Sequence, residues 1–173
     1  MSRASSEGRV PLAAPDIGTV ARRNVGNVLA SGDIASGAEV ERFEAGFADY
    51  TGTDRAVATT NGTSALHAAL HAIGIGEGDT VLTTPFSFIA TANAVQFTGA
   101  RPAFADVDPT TLNLNPAAVE QRLIEDDVDA ILVVHLYGLP ARMDRFVELS
   151  ETYDVPLVED CAQAHGATFD GRA

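Results

Sequence analysis

The chain has no lysine: all eleven of its basic residues are arginine. Lysine is normally among the commonest residues, so the absence needs a cause. Two causes stand side by side: a salt-adapted cytoplasm, where acidic surfaces stay hydrated, and a GC-rich genome, whose codons favour arginine. Positive charge is scarce altogether, with 11 basic against 24 acidic residues and a net charge of −13. That balance disfavours binding to nucleic acid or to anionic lipid. Cys161 is the sole cysteine, which excludes an internal disulfide and suits a reducing compartment. No apolar run approaches the roughly 20 residues of a membrane span. The first residues, Met1 to Gly8, lack the apolar core of a signal peptide. The expected location is the cytoplasm.

What is present is an alternation of strand and helix patterns. Val40, Phe43, Phe47 and Tyr50 recur at helical spacing and Gly52 closes that helix. Arg55–Thr59 reads as a short strand. Asn61-Gly62-Thr63-Ser64 turns the chain into a helix with Leu66, Leu70 and Ile73 on one face and Gly74 as its stop. A strand over 80–84 and a helix over 88–97 follow. Next come a strand over 102–105, a helix over 116–124 and the most apolar strand, Ala130-Ile131-Leu132-Val133-Val134. A helix over 143–153 precedes a last strand that leads to Asp160. Five such alternations imply an α/β fold, a mostly parallel sheet covered by helices on both faces. Residues 1–36 read as a peripheral arm with one short helix, and 37–173 as the sheet domain.

Two places carry chemistry. An acid at the carboxyl end of a buried strand, as Asp160 is, sits where open α/β sheets place their ligands. One reaction class needs a carboxylate there, to hold a pyridinium nitrogen protonated in pyridoxal phosphate chemistry. That chemistry also needs a Schiff-base lysine, and this chain has none. Gln163 and His165 add polar groups that a plain core would avoid. The second place is Asn61–Ser64, between a strand and a helix N-terminus. Orphan N–H groups and the helix dipole make it an anion site, although an ordinary helix cap with a turn glycine reads the same way.

The other motifs are weaker. Phe86 and Phe88 each offer a flat face to an aromatic ring, with Phe86 expected in the core. Cys161 and His165 form a thiol pair only if a third group orients them, and none is visible. His67 and His71 have zinc-ligand spacing without the HExxH glutamate. Gly74-Ile75-Gly76-Glu77-Gly78 joins a helix to a strand, the reverse of a dinucleotide loop.

Taken together, several segments resemble the DegT–StrS family of pyridoxal-phosphate-dependent sugar aminotransferases. They are Ser31-Gly32 to Gly37 with Phe43-Glu44, Asn61 to His67, Gly74 to Asp79, Phe88 to Asn93, Asp106-Val107-Asp108, His135 to Gly138, and Glu159 to Ala167. The resemblance runs from about Pro11 onward. It implies a type I PLP-transferase large domain (aspartate aminotransferase-like), truncated, with five of seven strands. Pyridoxal 5′-phosphate is the implied cofactor. Gly62, Thr63 and Ser64 would hold its phosphate, Phe88 would stack on its ring, Asp160 would pair with the ring nitrogen, and Gln163 would lie near the ring hydroxyl. The implied reaction moves an amino group, from glutamate, to a nucleotide-linked keto-sugar in a homodimer. The Schiff-base lysine and the small C-terminal domain would lie beyond Ala173, which leaves no catalytic residue in this chain and predicts no activity for it alone. A sugar dehydratase of the same family, with histidine for that lysine, is the first alternative. A non-catalytic remnant, or one subunit of a split enzyme, is the second. Thr84-Pro85 departs from the Pro-Ser common in the family.

Overall fold

A computed structural model of the chain describes residues 15–172. The segment Met1–Gly8 and the first part of the expected arm lie outside the described residues. The chain divides into two compact units, residues 1–43 and 44–173. The described part of the first unit contains helix α1, Thr19–Ser31, which buries none of its side chains and ends at Gly32 with φ +82°. Helix α2, Ala38–Thr51, starts in the first unit, and its C-terminal half belongs to the second.

The second unit is built on four strands: β1 (Thr80–Thr83), β2 (Arg101–Phe104), β3 (Ala130–Val134) and β4 (Leu157–Asp160). They lie in the order β2-β1-β3-β4, and every pairing is parallel. β1 and β3, in the middle, are buried at every position. Their side chains alternate between two faces with the period of two that a strand imposes. Leu82, Ile131 and Val133 join Leu114, Val119, Phe146 and Leu149 in one core. Val81, Ala130 and Leu132 join Leu66, Leu70, Ala94 and Val95 in the other. Helices α5 (Pro116–Glu125) and α6 (Met143–Tyr153) thus cover one face, and α3 (Gly62–Ala72) and α4 (Ala90–Phe97) cover the other.

The helices begin where their caps dictate. Asn61 accepts the Ser64 N–H, and Asn115 accepts the Ala117 N–H ahead of Pro116, whose missing N–H costs a first turn nothing. The expected α/β class and parallel sheet are present, but the expected strand at Arg55–Thr59 is not. Those residues form no regular element and pair with no strand among the described residues. The Ala58 N–H goes instead to the Glu44 carboxylate at 2.8 Å, and Val57 is 82% exposed. A strand exists only by pairing, and β2 and β4 form the two edges of this sheet.

Candidate functional site

Parallel pairing brings the carboxyl ends of β1, β3 and β4 to one rim. The register sets Asp160 opposite Val134, and the His135 N–H extends that ladder to the Asp160 carbonyl. Asp160 is 8% exposed. Its Oδ1 accepts the Ala162 N–H at 3.1 Å and its Oδ2 accepts the Thr91 hydroxyl at 3.1 Å. Thr91 in turn meets the Ser87 hydroxyl at 2.8 Å.

A cleft of about 980 Å³ is lined by both Gly62 and Asp160, together with Ala65, Leu66, His135 and Cys161. Thr63 and Ser64 are not in its lining, and Ser64 spends its N–H on the Asn61 cap. The Gly62 and Thr63 N–H groups have no partner among the described residues. An added Cβ at Gly62 would meet nothing within 4 Å, so the space beside this helix end is open. Two free N–H groups at a helix N-terminus and a buried carboxylate fit the two ends of a phosphorylated pyridine.

Phe88 is 72% exposed, two residues before α4, and does not line the cleft. Phe86, expected in the core, is 45% exposed. The Thr84 hydroxyl accepts the Phe86 N–H and bends the chain away from the sheet. Gln163 is exposed, and its Oε1 accepts the Tyr137 N–H at 2.7 Å. Tyr137 occupies the left-handed region at φ +55°. Its turn is clamped by buried Asn113, which accepts the Leu136 N–H and donates to the Leu139 carbonyl, both at 2.9 Å. Gly166 also requires its identity: its φ is +82°, and a Cβ there would collide with the Tyr50 hydroxyl.

The most polar buried group that sequence reasoning missed is His135. Its Nε2 lies 2.8 Å from Glu159 Oε2, and its Nδ1 accepts the Ala141 N–H at 3.0 Å. His135, Glu159 and Cys161 offer ligand atoms within 4.8 Å of one another. Their donor chemistry does not suit a metal. An Nδ1 that accepts a backbone N–H leaves the ring proton on Nε2, so no lone pair remains there for an ion. Burial lowers the affinity of the ring for a second proton, whereas Cys161 and Glu159 favour it and together outweigh burial, which would raise the pKa to about 9. The Ala141 N–H acts against them, because Nδ1 cannot bind a proton and accept that bond together. Cys161 therefore neighbours His135 rather than His165, which packs edge-on against Phe47. His67 packs edge-on against Phe97 and joins no ligand cluster among the described residues.

Comparison with known proteins bears on the family and the fold. The profile of the DegT/DnrJ/EryC1/StrS aminotransferase family matches residues 15–173. GDP-perosamine synthase of Caulobacter vibrioides is 42% identical over 165 residues, which are 95% of this chain and 44% of that protein. The crystal structure of an aminotransferase from Psychrobacter cryohalolentis superposes with a TM-score of 0.88 at 39% identity, covering 94% of this chain and 42% of that one. A GDP-4-keto-6-deoxymannose-3-dehydratase with a trapped PLP-glutamate geminal diamine superposes with a TM-score of 0.87 at 27% identity, covering 95% and 44%. The chain spans less than half the length of each of these relatives.

Proposed function

Since the chain belongs to the DegT/DnrJ/EryC1/StrS aminotransferase family, we propose that it supplies the cofactor-binding rim of a pyridoxal 5′-phosphate enzyme. That enzyme moves an amino group from glutamate to a nucleotide-linked keto-sugar and works as a cytoplasmic homodimer. The observation that carries the reading is the cleft shared by Gly62, at a helix N-terminus with two free N–H groups, and buried Asp160. Gly62, Thr63 and Ser64 bind the phosphate through backbone N–H groups and hydroxyls, where the helix dipole favours negative charge. Asp160 holds the proton on the ring nitrogen. When bound, the cofactor supplies the electron sink for amino transfer. Phe88 and Gln163 both lie outside the cleft lining, and the family resemblance is what assigns them to the ring face and the ring hydroxyl. The Tyr137 N–H already occupies Gln163 Oε1, which leaves the amide NH2 as the donor on offer.

The dehydratase reading is supported by the similarity to the GDP-4-keto-6-deoxymannose-3-dehydratase. The two readings differ in whether a lysine or a histidine serves as the base at the cofactor, and this chain has no lysine.

Calorimetric titration with pyridoxal 5′-phosphate tests the site. The 173-residue chain is expected to bind it. Asp160→Ala and Gly62→Asp, the latter placing a negative charge at the phosphate end, are each expected to weaken binding at least tenfold, roughly the worth of one charge-assisted contact. Borohydride should fix no cofactor to a side chain, because the chain has no lysine. A chain that binds no cofactor at millimolar concentration, or variants that bind as well as the wild type, would refute the reading.

A further inference from the structure

We infer that Ser87 and Thr91 form a hydroxyl relay that orients Asp160, with Thr91 as the positioning residue. This rests on the proposed pairing of Asp160 with the cofactor ring nitrogen and deepens it. Thr91 lies in the first turn of α4, 1% exposed, with its hydroxyl between Asp160 Oδ2 at 3.1 Å and Ser87 Oγ at 2.8 Å. A hydroxyl has one proton to give. A carboxylate oxygen only accepts, so the Thr91 proton goes to Asp160. Ser87 must then donate to Thr91. Both protons of the relay point toward the acid, and each bond polarises the next.

The geometry of the acid makes this a device for orientation. Asp160 Oδ1 is held by the Ala162 N–H of its own turn, and Oδ2 is held from α4, a helix 69 residues away in the chain. Held by one oxygen, a carboxylate swings about its Cβ–Cγ bond. Held by both, it has a fixed plane, and that plane sets how its remaining lone pairs meet a ring N–H. Packing does not demand a hydroxyl at position 91, because valine has nearly the same volume and no polar atom to satisfy. Ser87 adjoins Phe88, so the relay also ties the segment that carries Phe88 to the acid.

The test compares two ligands, pyridoxamine 5′-phosphate and its 1-deaza analogue, which carries C–H in place of the ring nitrogen. Dissociation constants of both are measured by calorimetry on the 173-residue chain. Their ratio isolates the contact at the ring nitrogen and cancels any loss common to both ligands. The wild type is expected to prefer the nitrogen ligand, and Asp160→Ala to lose that preference. Thr91→Val should lower it on the order of tenfold, the scale of one hydrogen bond to a charged group. Thr91→Ser should retain it, and Ser87→Ala should lower it by a smaller factor. If Thr91→Val does not fold by circular dichroism, Thr91→Ser and Ser87→Ala carry the comparison. A preference retained in full by Thr91→Val, or by Ser87→Ala where the valine variant does not fold, overturns the relay alone. A wild type that binds both ligands equally, or neither, overturns the pairing of Asp160 with the ring nitrogen and the relay with it.

Discussion

The protonation of His135 offers a sharp trial, because two sets of neighbours oppose each other there. If Cys161 and Glu159 prevailed over burial, the pKa would rise from 6.5 to about 9, a preference for the imidazolium worth about 3 kcal/mol. A raised folded-state value stabilises the protein fully below pH 6.5, and the gain is lost as pH climbs through about 9. Protonating Nδ1 would break the Ala141 bond, however, and leave a buried N–H facing a second N–H. An unsatisfied buried donor costs roughly 1–3 kcal/mol, and the repulsion of the facing protons adds to it. The two sides are therefore of similar size, and the repulsion tips the balance to the neutral ring. We expect a single Nε2–H tautomer at pH 7.5 in long-range proton–nitrogen spectra of the imidazole. Urea midpoints should show no His135-dependent fall between pH 7 and 9.5. Glu159→Gln supplies the second arm. A neutral ring still donates to the glutamine oxygen, so the variant should lose less than about 1.5 kcal/mol, the scale of one net hydrogen bond. An imidazolium stripped of its partner would lose more, roughly 2–3 kcal/mol, which is less than for a fully buried pair because the half-exposed Glu159 is partly screened by solvent. A doubly protonated ring at pH 7.5, with a midpoint that falls through pH 9, would refute the reasoning.

Gly166→Ala should destabilise by about 1–3 kcal/mol in urea unfolding, from the left-handed φ and from displacing Tyr50. Tyr50→Phe in the same chain should recover only the part owed to the hydroxyl, and full recovery would show that φ costs nothing. Asn113→Ala strands the Leu136 N–H and the Leu139 carbonyl, for a loss of about 2–4 kcal/mol in the same assay, and a loss under about 0.5 kcal/mol would contradict the clamp. The −13 net charge should make the melting temperature rise from low to molar salt, as screening weakens self-repulsion; equal melting in both would count against charge as a destabilising term.

Local and periodic features were legible in the sequence. The run Ala130–Val134 could only be a strand buried on both sides, and the position of Asp160 at a strand end followed from the apolar residues before it. Asn61 was readable as a cap because capping is a local bond between a side chain and the third N–H beyond it. Arg55–Thr59 misled because a strand pattern describes a preference, whereas a strand needs a partner that the pattern does not name. Phe86 misled because one hydroxyl, on Thr84, redirects the chain past the end of the sheet. The bonds from Thr91 to Asp160 and from His135 to Glu159 had no signal at all. They join residues 69 and 24 positions apart, through side chains that are unremarkable in their own segments.

The rim also bears on how such a protein can change over generations. The segments after β1, β3 and β4 share partners: Ser87 and Thr91 with Asp160, Tyr137 with Gln163, and Asn113 with both ends of the turn between them. Residues in one bonded network do not contribute independently, so the effect of a replacement depends on what its neighbours already are. A substitution tolerated at position 163 in one sequence background can be damaging in another where position 113, whose side chain holds the same turn, differs. Drift along this rim should proceed by paired replacements, while the exposed outer faces of the covering helices accept single ones.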